Sequence, residues 1–473
     1  MLSKEQEYAL NKFKLGENLF ITGAGGTGKT KLIRHLIMDA NDRNKKIQVC
    51  ALTGCASVLL NCNARTIHAW SGIRLAKGSQ EQIVESVIKN KMAQKSWKKI
   101  QVLIIDEISM MSKKIFEILD TIGKVIRRNN EPFGGIQVVF TGDFFQLPPV
   151  GTYGEPDTAA FCFESPLWYR TFSPTNHIEL VTIFRQNDPA YIDILSQIRK
   201  GTINEGSIEI LKKYVKRQYK EGTQQPTKLF PIRAKAEYVN STMFDKLNED
   251  EYQYESTVKT DCLTYLDTGK AIPVDILQKC ARMTQKEREY EIEYLQNNIP
   301  CEKVMKLKKG SSVLCIANLD LENGVCNGSQ GVVIDIIEKT KEPDIIVVRF
   351  ENGVTKQMLP HSWQSEEYSM IAVKQYPLVL SWAMTIHKIQ GATLTMAEMD
   401  IGESVFEYGQ TYVSLSRIKS LDGLYLSAFN PAKIRANPRV IEFYETIRQQ
   451  MMATEIVVEE NKEAVDLNKY AYT

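Results

Sequence analysis

Several common organising devices are missing from this sequence, and each absence removes a class of protein. The nine cysteines are scattered and none forms a C-x-x-C pair, which leaves neither a disulfide framework nor a zinc knuckle and points to a reducing compartment. Five histidines, spread from His35 to His387, do not supply a metal-ligand set. No apolar run approaches the roughly 20 residues of a membrane span, and Met1-Leu2-Ser3-Lys4-Glu5-Gln6 lacks a hydrophobic signal region, so a soluble intracellular protein without membrane partners is expected. There are no repeats, low-complexity tracts or long linkers. Charge of one sign is also missing: 59 Lys+Arg stand against 57 Asp+Glu, so any nucleic-acid surface must be local. Two local clusters exist, Lys89, Lys91, Lys95, Lys98 and Lys99, and Lys212, Lys213, Lys216, Arg217 and Lys220; each reads equally as a solvated helix face or a binding surface.

What is present is ordinary globular composition, 43% hydrophobic and 25% charged, over 473 residues, which implies about two to four domains. The dominant local signal is Gly23-Ala24-Gly25-Gly26-Thr27-Gly28-Lys29-Thr30. It follows the apolar strand-like run Leu19-Phe20-Ile21 and precedes the helix-like run Leu32 to Ile37, the setting a phosphate loop needs. Its glycines let successive N–H groups turn inward, and the helix N-terminus behind them adds positive potential. Lys29 is placed to reach the β- and γ-phosphates of a nucleotide, and Thr30 to put its hydroxyl on Mg²⁺. Upstream, Ser3 to Phe13 reads as a helix with Ser3 as N-cap and Gln6 at the capping-box position; the Gln6 amide serves that cap or reads an adenine edge.

Downstream, Ile47 to Leu52 reads as a second strand that ends at Thr53, on the sheet edge where ligands bind in open α/β sheets. Arg65 to Trp70 includes His68 and Trp70, which on residue type alone read as packing residues ahead of ligand contacts, and Lys77 to Lys99 is a polar, helical excursion. Val102 to Ile105 is an apolar strand that runs into Asp106 and Glu107, the first suited to Mg²⁺ and the second to polarising a water. Val138 to Phe140 feeds Thr141-Gly142-Asp143-Phe144-Phe145-Gln146-Leu147-Pro148-Pro149, where Gln146 can bond a γ-phosphate or lytic water on a Pro-stiffened loop. In the second half, Tyr376 to Trp382 and Leu424 to Leu426 read as buried strands of a second parallel-sheet domain closed by an amphipathic helix, Pro438 to Met452. Between them lies a polar stretch, Tyr252 to Lys306. Four short strands follow, Ser312 to Ala317, Gly331 to Ile336, Ile345 to Arg349 and Val354 to Met358, patterned like a small antiparallel barrel.

The strings GAGGTGKT, IIDEISMM and GDFFQLPPV, with Phe184-Arg185-Gln186, Asn327 to Val333, Trp382 to Gly391 and Gly409 to Arg417, resemble in this order the superfamily 1B DNA helicases of the Pif type, from Leu2 to about Tyr444. The resemblance implies an α/β fold of two RecA-like P-loop NTPase domains in tandem, with a small SH3-like β-barrel inserted in the second. Its boundaries would be 1–175 for domain 1A (with a 1B excursion about 64–99), 176–251 and 371–452 for the two parts of domain 2A, 252–370 for the 2B insertion, and 453–473 for an acidic tail. It implies ATP and Mg²⁺ as cofactors and Lys29, Thr30, Asp106, Glu107, Gln146, Arg185 and Arg417 as the catalytic set. The two arginines would be fingers from a facing domain, and Thr30 and Asp106 the metal contacts. Gln6, the loop Gly23 to Thr30, Gln390 and Gly391 would hold the nucleotide, and Thr53, His68, Trp70, Asn240, His387 and Lys388 would touch single-stranded DNA. The implied activity is 5′-to-3′ translocation by a monomeric motor on forked or structured DNA, serving replication, repair, recombination or telomere maintenance. An RNA helicase of superfamily 1 and a nucleic-acid-stimulated ATP switch share the same nucleotide chemistry.

Overall fold

Strand β1 (Leu19–Gly23) is buried at every position, as is expected of a strand covered on both faces. The computed structural model describes residues 2–450 apart from 54–55, 58–59, 61, 63, 75, 220–224, 267–268, 300, 318, 321, 366–367, 387–388 and 390–392. The described residues divide into two compact units, one within 2–207, 407–416 and 431–450, the other within 208–406 and 417–430.

In the first unit, helix α1 (Lys4–Lys14) begins with the predicted capping box, Ser3 and Gln6 each satisfying the other's backbone N–H. After β1 come α2 (Lys29–Asp42), β2 (Ile47–Ala51), β3 (Arg65–Thr66) and α3 (Ile67–Ser71). Then follow α4 (Gln80–Lys89), α5 (Lys91–Lys99), β4 (Val102–Asp106), α6 (Lys113–Arg127), β5 (Gln137–Gly142), β6 (His177–Leu180) and α7 (Pro189–Lys200). The strands form one sheet in the order β3-β2-β4-β5-β1-β6, and every pair in it is parallel. Alternation along β1 divides the core. Leu19 and Ile21 pack with Ala9 and Phe13 of α1 and Leu32 and Leu36 of α2, while Phe20 enters an aromatic layer with Phe116, Phe140, Phe144, Trp168 and Phe443. Because β1 lies between β5 and β6, and β4 is next to β5, the C-terminal ends of β1, β4 and β5 stand in one row. That row carries the phosphate loop, the acid pair and the Gln146 loop.

Two expectations about organisation are corrected here. The expected domain boundary after residue 175 does not coincide with the observed division, since β6 pairs with β1 (Phe20 opposite His177, Gly23 opposite Leu180) and α7 stays with the same unit. The helix 438–450, expected to close the second domain, packs Val440, Phe443, Tyr444 and Ile447 into the first unit's aromatic layer. Its apolar spacing predicts a buried face but not which core receives it.

The second unit carries its own parallel sheet, ordered Ala383–Thr385, Thr227–Phe230, Ala397–Ile401 and Leu424–Phe429. Beside it in sequence lies a five-stranded antiparallel sheet: Thr355–Met358, Ile345–Phe350, Gln330–Ile337, Ser312–Cys315 and Leu378–Leu380. The run Tyr376 to Trp382, expected in the parallel sheet, is the point of correction. Leu378–Leu380 pairs antiparallel with Val313–Cys315, and only the chain from Ala383 joins the parallel sheet. A short apolar run cannot report which sheet it joins.

His177 on β6 shows how tightly the first unit is packed. Its Nδ1–H donates to Ser173 O at 2.9 Å and its Nε2 accepts from Trp168 Nε1–H at 2.9 Å, so the ring is held neutral, and burial pushes its pKa down to about 4. The unfolded chain, with a histidine pKa of about 6.5, binds a proton that the folded chain refuses between those values, so stability falls as pH drops from about 6.5 towards 4 and is flat above. Melting temperatures at pH 7.5 and 5.0 are expected to differ less for His177→Gln than for the parent; equal differences would remove the histidine from the acid lability.

Candidate nucleotide site

The loop after β1 closes through backbone conformations that side chains resist. Gly26 and Gly28 have φ of +91° and +81°, and a Cβ on Gly26 would come within 2.6 Å of Arg185 Cβ. Thr27 Oγ1 donates to Ala24 O at 3.0 Å, and Lys29 Nζ donates to the carbonyls of Gly23 and Ala24 at 2.7 and 3.1 Å. Burial lowers the Lys29 pKa, opposed by the charges of Asp143, Glu107 and Asp106 in that order. An ammonium so placed gains from any polyphosphate that enters the loop. Gln6 is fully buried: its Oε1 accepts from Ser3 N–H, and its Nε2 donates to Thr27 O at 3.2 Å and Gly28 O at 3.4 Å. The cap and the contact with the loop are thus made by one amide.

At the end of β4, Asp106 accepts a hydrogen bond from Thr141 Oγ1. Burial, then the neighbouring Glu107, pushes its pKa up to about 6, so a cation beside it favours its charged form. Glu107 sits at φ +56°, a left-handed conformation that costs a non-glycine residue about 1–3 kcal/mol and turns the chain sharply at the sheet edge. Among the described residues no group of three or more acids, histidines or cysteines could hold a metal alone. The Thr30 hydroxyl and the buried Asp106 carboxylate are oxygen donors of the kind that could take part in holding a Mg²⁺.

Gln146 is buried, and its Oε1 has no hydrogen-bond partner among the described residues, as suits a group whose partner arrives with a ligand. The loop that carries it is fixed at each residue. Gln146 N donates to Asp143 O, Phe144 N donates to Tyr444 Oη, and Phe145 stacks on Tyr444 at 5.0 Å. A Cβ on Gly409 would fall 2.5 Å from Gln146 O and 2.7 Å from Phe145 O.

Segment 184–186 lies on the phosphate loop. Phe184 N donates to Gly26 O at 2.8 Å, and Arg185 Nη1 and Gln186 Nε2 donate to Ser416 O at 2.9 and 3.2 Å. Arg185 therefore belongs to the unit that carries the loop, a correction to the expectation that it comes from a facing domain; the paired strand β6 carries it there. Arg417 is 2% exposed and lies in the second unit. Of the residues matched to DNA contacts, Thr53 follows β2, where its Oγ1 accepts from Ala56 N, and His68 is half-buried on α3, its pKa lowered by burial. Trp70 is corrected to a core residue: it is 4% exposed, 4.8 Å from the Trp97 ring. Asn240, in the second unit, spends both ends of its amide on Ala383, donating to its O and accepting from its N, each at 2.8 Å. His387, Lys388, Gln390, Gly391 and the acidic tail lie outside the described residues.

Sequence reasoning missed three side chains. Tyr412, on the short helix Gln410–Leu415, accepts from Gly25 N–H at 2.8 Å. Tyr444 Oη bonds Thr22 Oγ1 at 2.6 Å, one residue before the loop. Arg199 of α7 forms a bidentate pair with Asp143, 2.9 Å on each side, and lies over the Phe145 ring at 4.7 Å. Asp143 is fully buried and Arg199 nearly so; burial works against the guanidinium's charge, and Asp143 overrides it. A cavity of ≈ 250 Å³ beside Ala24 and Gly25 is walled in part by Glu179, Arg199, Tyr412 and Arg448. A conspicuous acid directly after a phosphate-site strand was the one available signal, since a buried carboxylate needs a cation. Arg199→Met leaves that carboxylate unpaired and is expected to cost about 3–5 kcal/mol in denaturant unfolding, with most of it recovered in the Arg199→Met, Asp143→Leu double variant. No recovery would mean that packing rather than charge sets the loss.

The profile of the PIF1-like helicase family matches residues 1–208, and that of the DNA helicase Pif1 2B domain matches residues 292–336. The chain is 34% identical to the ATP-dependent DNA helicase PIF1 of Xenopus laevis over 95% of its own length, and spans 65% of that protein. It is 33% identical to the ATP-dependent DNA helicase Pif1 of Bdellovibrio bacteriovorus, with 94% of this chain and 92% of that one covered. Among solved structures, Pif1 helicase from Bacteroides in complex with ADP-AlF3 and ssDNA superposes with a TM-score of 0.62 at 27% identity, covering 95% of this chain and 98% of that one. Likeness that runs through both units, and not through the phosphate loop alone, makes the chain a member of the PIF1-like helicase family.

Proposed function

We propose that the protein is an ATP-dependent DNA helicase of the Pif type, coupling ATP hydrolysis to 5′-to-3′ movement on single-stranded DNA and to opening of forked or structured duplexes. The observation that carries this reading is the single row of chemistry at the sheet edge. Lys29, the Asp106–Glu107 pair and the buried Gln146 stand at the ends of adjacent parallel strands, with Arg185 over the loop. In this reading the loop amides and Lys29 grip the β- and γ-phosphates, and Gln6 reads the adenine. Glu107 orients the attacking water, and the Gln146 amide bonds the γ-phosphate or that water. A Mg²⁺ between the Thr30 hydroxyl and Asp106 would neutralise charge that develops on the phosphates. Arg185 and Arg417, the two arginines that match the family's finger positions, are the proposed guanidinium groups for the transferring phosphoryl.

The family likeness and the second parallel sheet support two RecA-like domains, 1A and 2A. The five-stranded antiparallel sheet, overlapped by the 2B profile, supports an SH3-like 2B insertion. Thr53, His68, His387 and Lys388 are proposed DNA contacts, which read backbone and stacking faces and so carry little sequence information. The DNA co-complex of the Bacteroides relative favours DNA over RNA as the track. Replication, repair, recombination or telomere maintenance is the proposed setting of this activity.

Strand separation on duplexes with a 5′ or a 3′ single-stranded tail tests the reading: unwinding is expected only with the 5′ tail and only with ATP. Lys29→Ala should abolish hydrolysis, and Arg185→Ala should lower kcat by about 10³ or more at saturating ATP. A preference for the 3′ tail would overturn the polarity, and stronger stimulation of the ATPase by RNA than by DNA would overturn the choice of track.

A further inference from the structure

Helix α5 presents an unusual face. Its nine residues, Lys91 to Lys99, include no acid, and Lys91, Lys95, Lys98 and Lys99 are all exposed. Positions i, i+4, i+7 and i+8 lie on one side of a helix, so the four ammonium groups form a single stripe about 12 Å long. The opposite side is anchored. Ala93 and Trp97 are buried, Trp97 Nε1 donates to Ser71 O at 3.1 Å, and Arg127 of α6 donates to the carbonyls of Trp97 and Ile100 at 3.0 Å each. The lysines thus stand on a rigid platform and line, with Gln94, a shallow trough of ≈ 380 Å³.

Like charges at i and i+4 repel and weaken a helix unless something offsets them. Nothing described does. The acid nearest in sequence, Glu85, is taken by Lys89 at 2.7 Å, and among the described residues none of the four lysines meets a carboxylate; Lys98 reaches only Gln94, at 3.5 Å. The chain as a whole is nearly neutral, so the stripe is a local excess and not part of a general basic surface.

We propose that this face of α5 binds the phosphate backbone of duplex DNA, as a second nucleic-acid contact separate from the strand-tracking residues; the proposal rests on the helicase reading above. Duplex is favoured over single strand because sequence-tolerant single-strand binding uses aromatic stacking platforms. The aromatic ring of this helix, Trp97, is fully buried. A duplex hides its bases and offers one phosphate per about 1.7 Å of axis, so that about seven charges pass a stripe of this length. Such a contact would hold the unopened duplex while the motor works on the tail, and would read no sequence.

The test combines Lys91→Gln, Lys95→Gln, Lys98→Gln and Lys99→Gln in the full chain and measures binding to a blunt duplex and to oligo-dT across a salt series. The slope of log affinity against log salt is expected to become shallower by up to about 3.6 on the duplex, roughly 0.9 per lysine, with oligo-dT binding as in the parent. The four corresponding Lys→Arg changes should restore the parental slope, and neither variant should melt below the parent. An unchanged duplex slope, which is the result if the stripe faces an acidic protein or only water, overturns the proposal, as does an equal loss on oligo-dT. If the parent hydrolyses ATP on DNA and unwinds while the glutamine variant binds duplex like the parent, only this inference fails. If the parent does neither, the helicase reading fails first.

Discussion

The ion pair between Asp143 and Arg199 sets the electrostatics on which the phosphate site depends. Asp143 exerts the largest charge effect on Lys29, and an unpaired carboxylate there would compete with a nucleotide for that ammonium. Two hydrogen bonds from the guanidinium occupy both carboxylate oxygens, and Lys29 turns to the loop carbonyls instead. Carbonyls are weaker partners than a carboxylate or a phosphate, so the lysine can exchange them for a polyanion. A buried bidentate pair of this kind adds little net stability, since desolvation of both charges offsets their attraction. Its contribution is to fix where charge lies.

The same pair fixes geometry. Arg199 lies over Phe145, Phe145 stacks on Tyr444, and Tyr444 bonds both Thr22 and Phe144 N, so the strand before the phosphate loop and the loop after β5 share one support. Gln146 rides on that support with a buried oxygen that has no hydrogen-bond partner among the described residues. An amide carbonyl costs about 1–3 kcal/mol to bury unbonded in a protein interior, and the surrounding packing holds it there. A water O–H can relieve that cost, whereas a phosphate oxygen, itself an acceptor, can bond only the amide's N–H.

Much of this was legible in the sequence because the chemistry is local. A phosphate loop needs glycines, a lysine and a hydroxyl at fixed offsets behind a strand, and the acids of β4 must follow an apolar run directly. The strands around them are buried on both faces and read as unbroken apolar stretches. Contacts distant in sequence were not legible. Arg199 is 56 residues from its acid, and nothing in α7 distinguishes it from an exposed helix-end arginine. The 438–450 helix shows its apolar period but not its destination, and Leu378–Leu380 shows burial but not its sheet. Trp70 carried two readings that only packing could separate, and the Trp97 ring beside it decided for the core.

Segment 409–417 has the furthest-reaching place in the architecture. Gly409, at φ +75°, lets the chain pass against the carbonyls of Phe145 and Gln146, which a side chain would block. All six residues of Gln410–Leu415 are buried, so the helix fits one setting and has little room to adjust. Within it Tyr412 bonds a phosphate-loop amide, and Ser416 O, just beyond, takes Arg185 and Gln186; the next residue, Arg417, already belongs to the second unit. An anion that claims the Gly25 N–H displaces the Tyr412 hydroxyl, and one that claims Arg185 displaces the Ser416 carbonyl. Nucleotide binding and the footing of the chain that leads into the second unit therefore draw on the same donors.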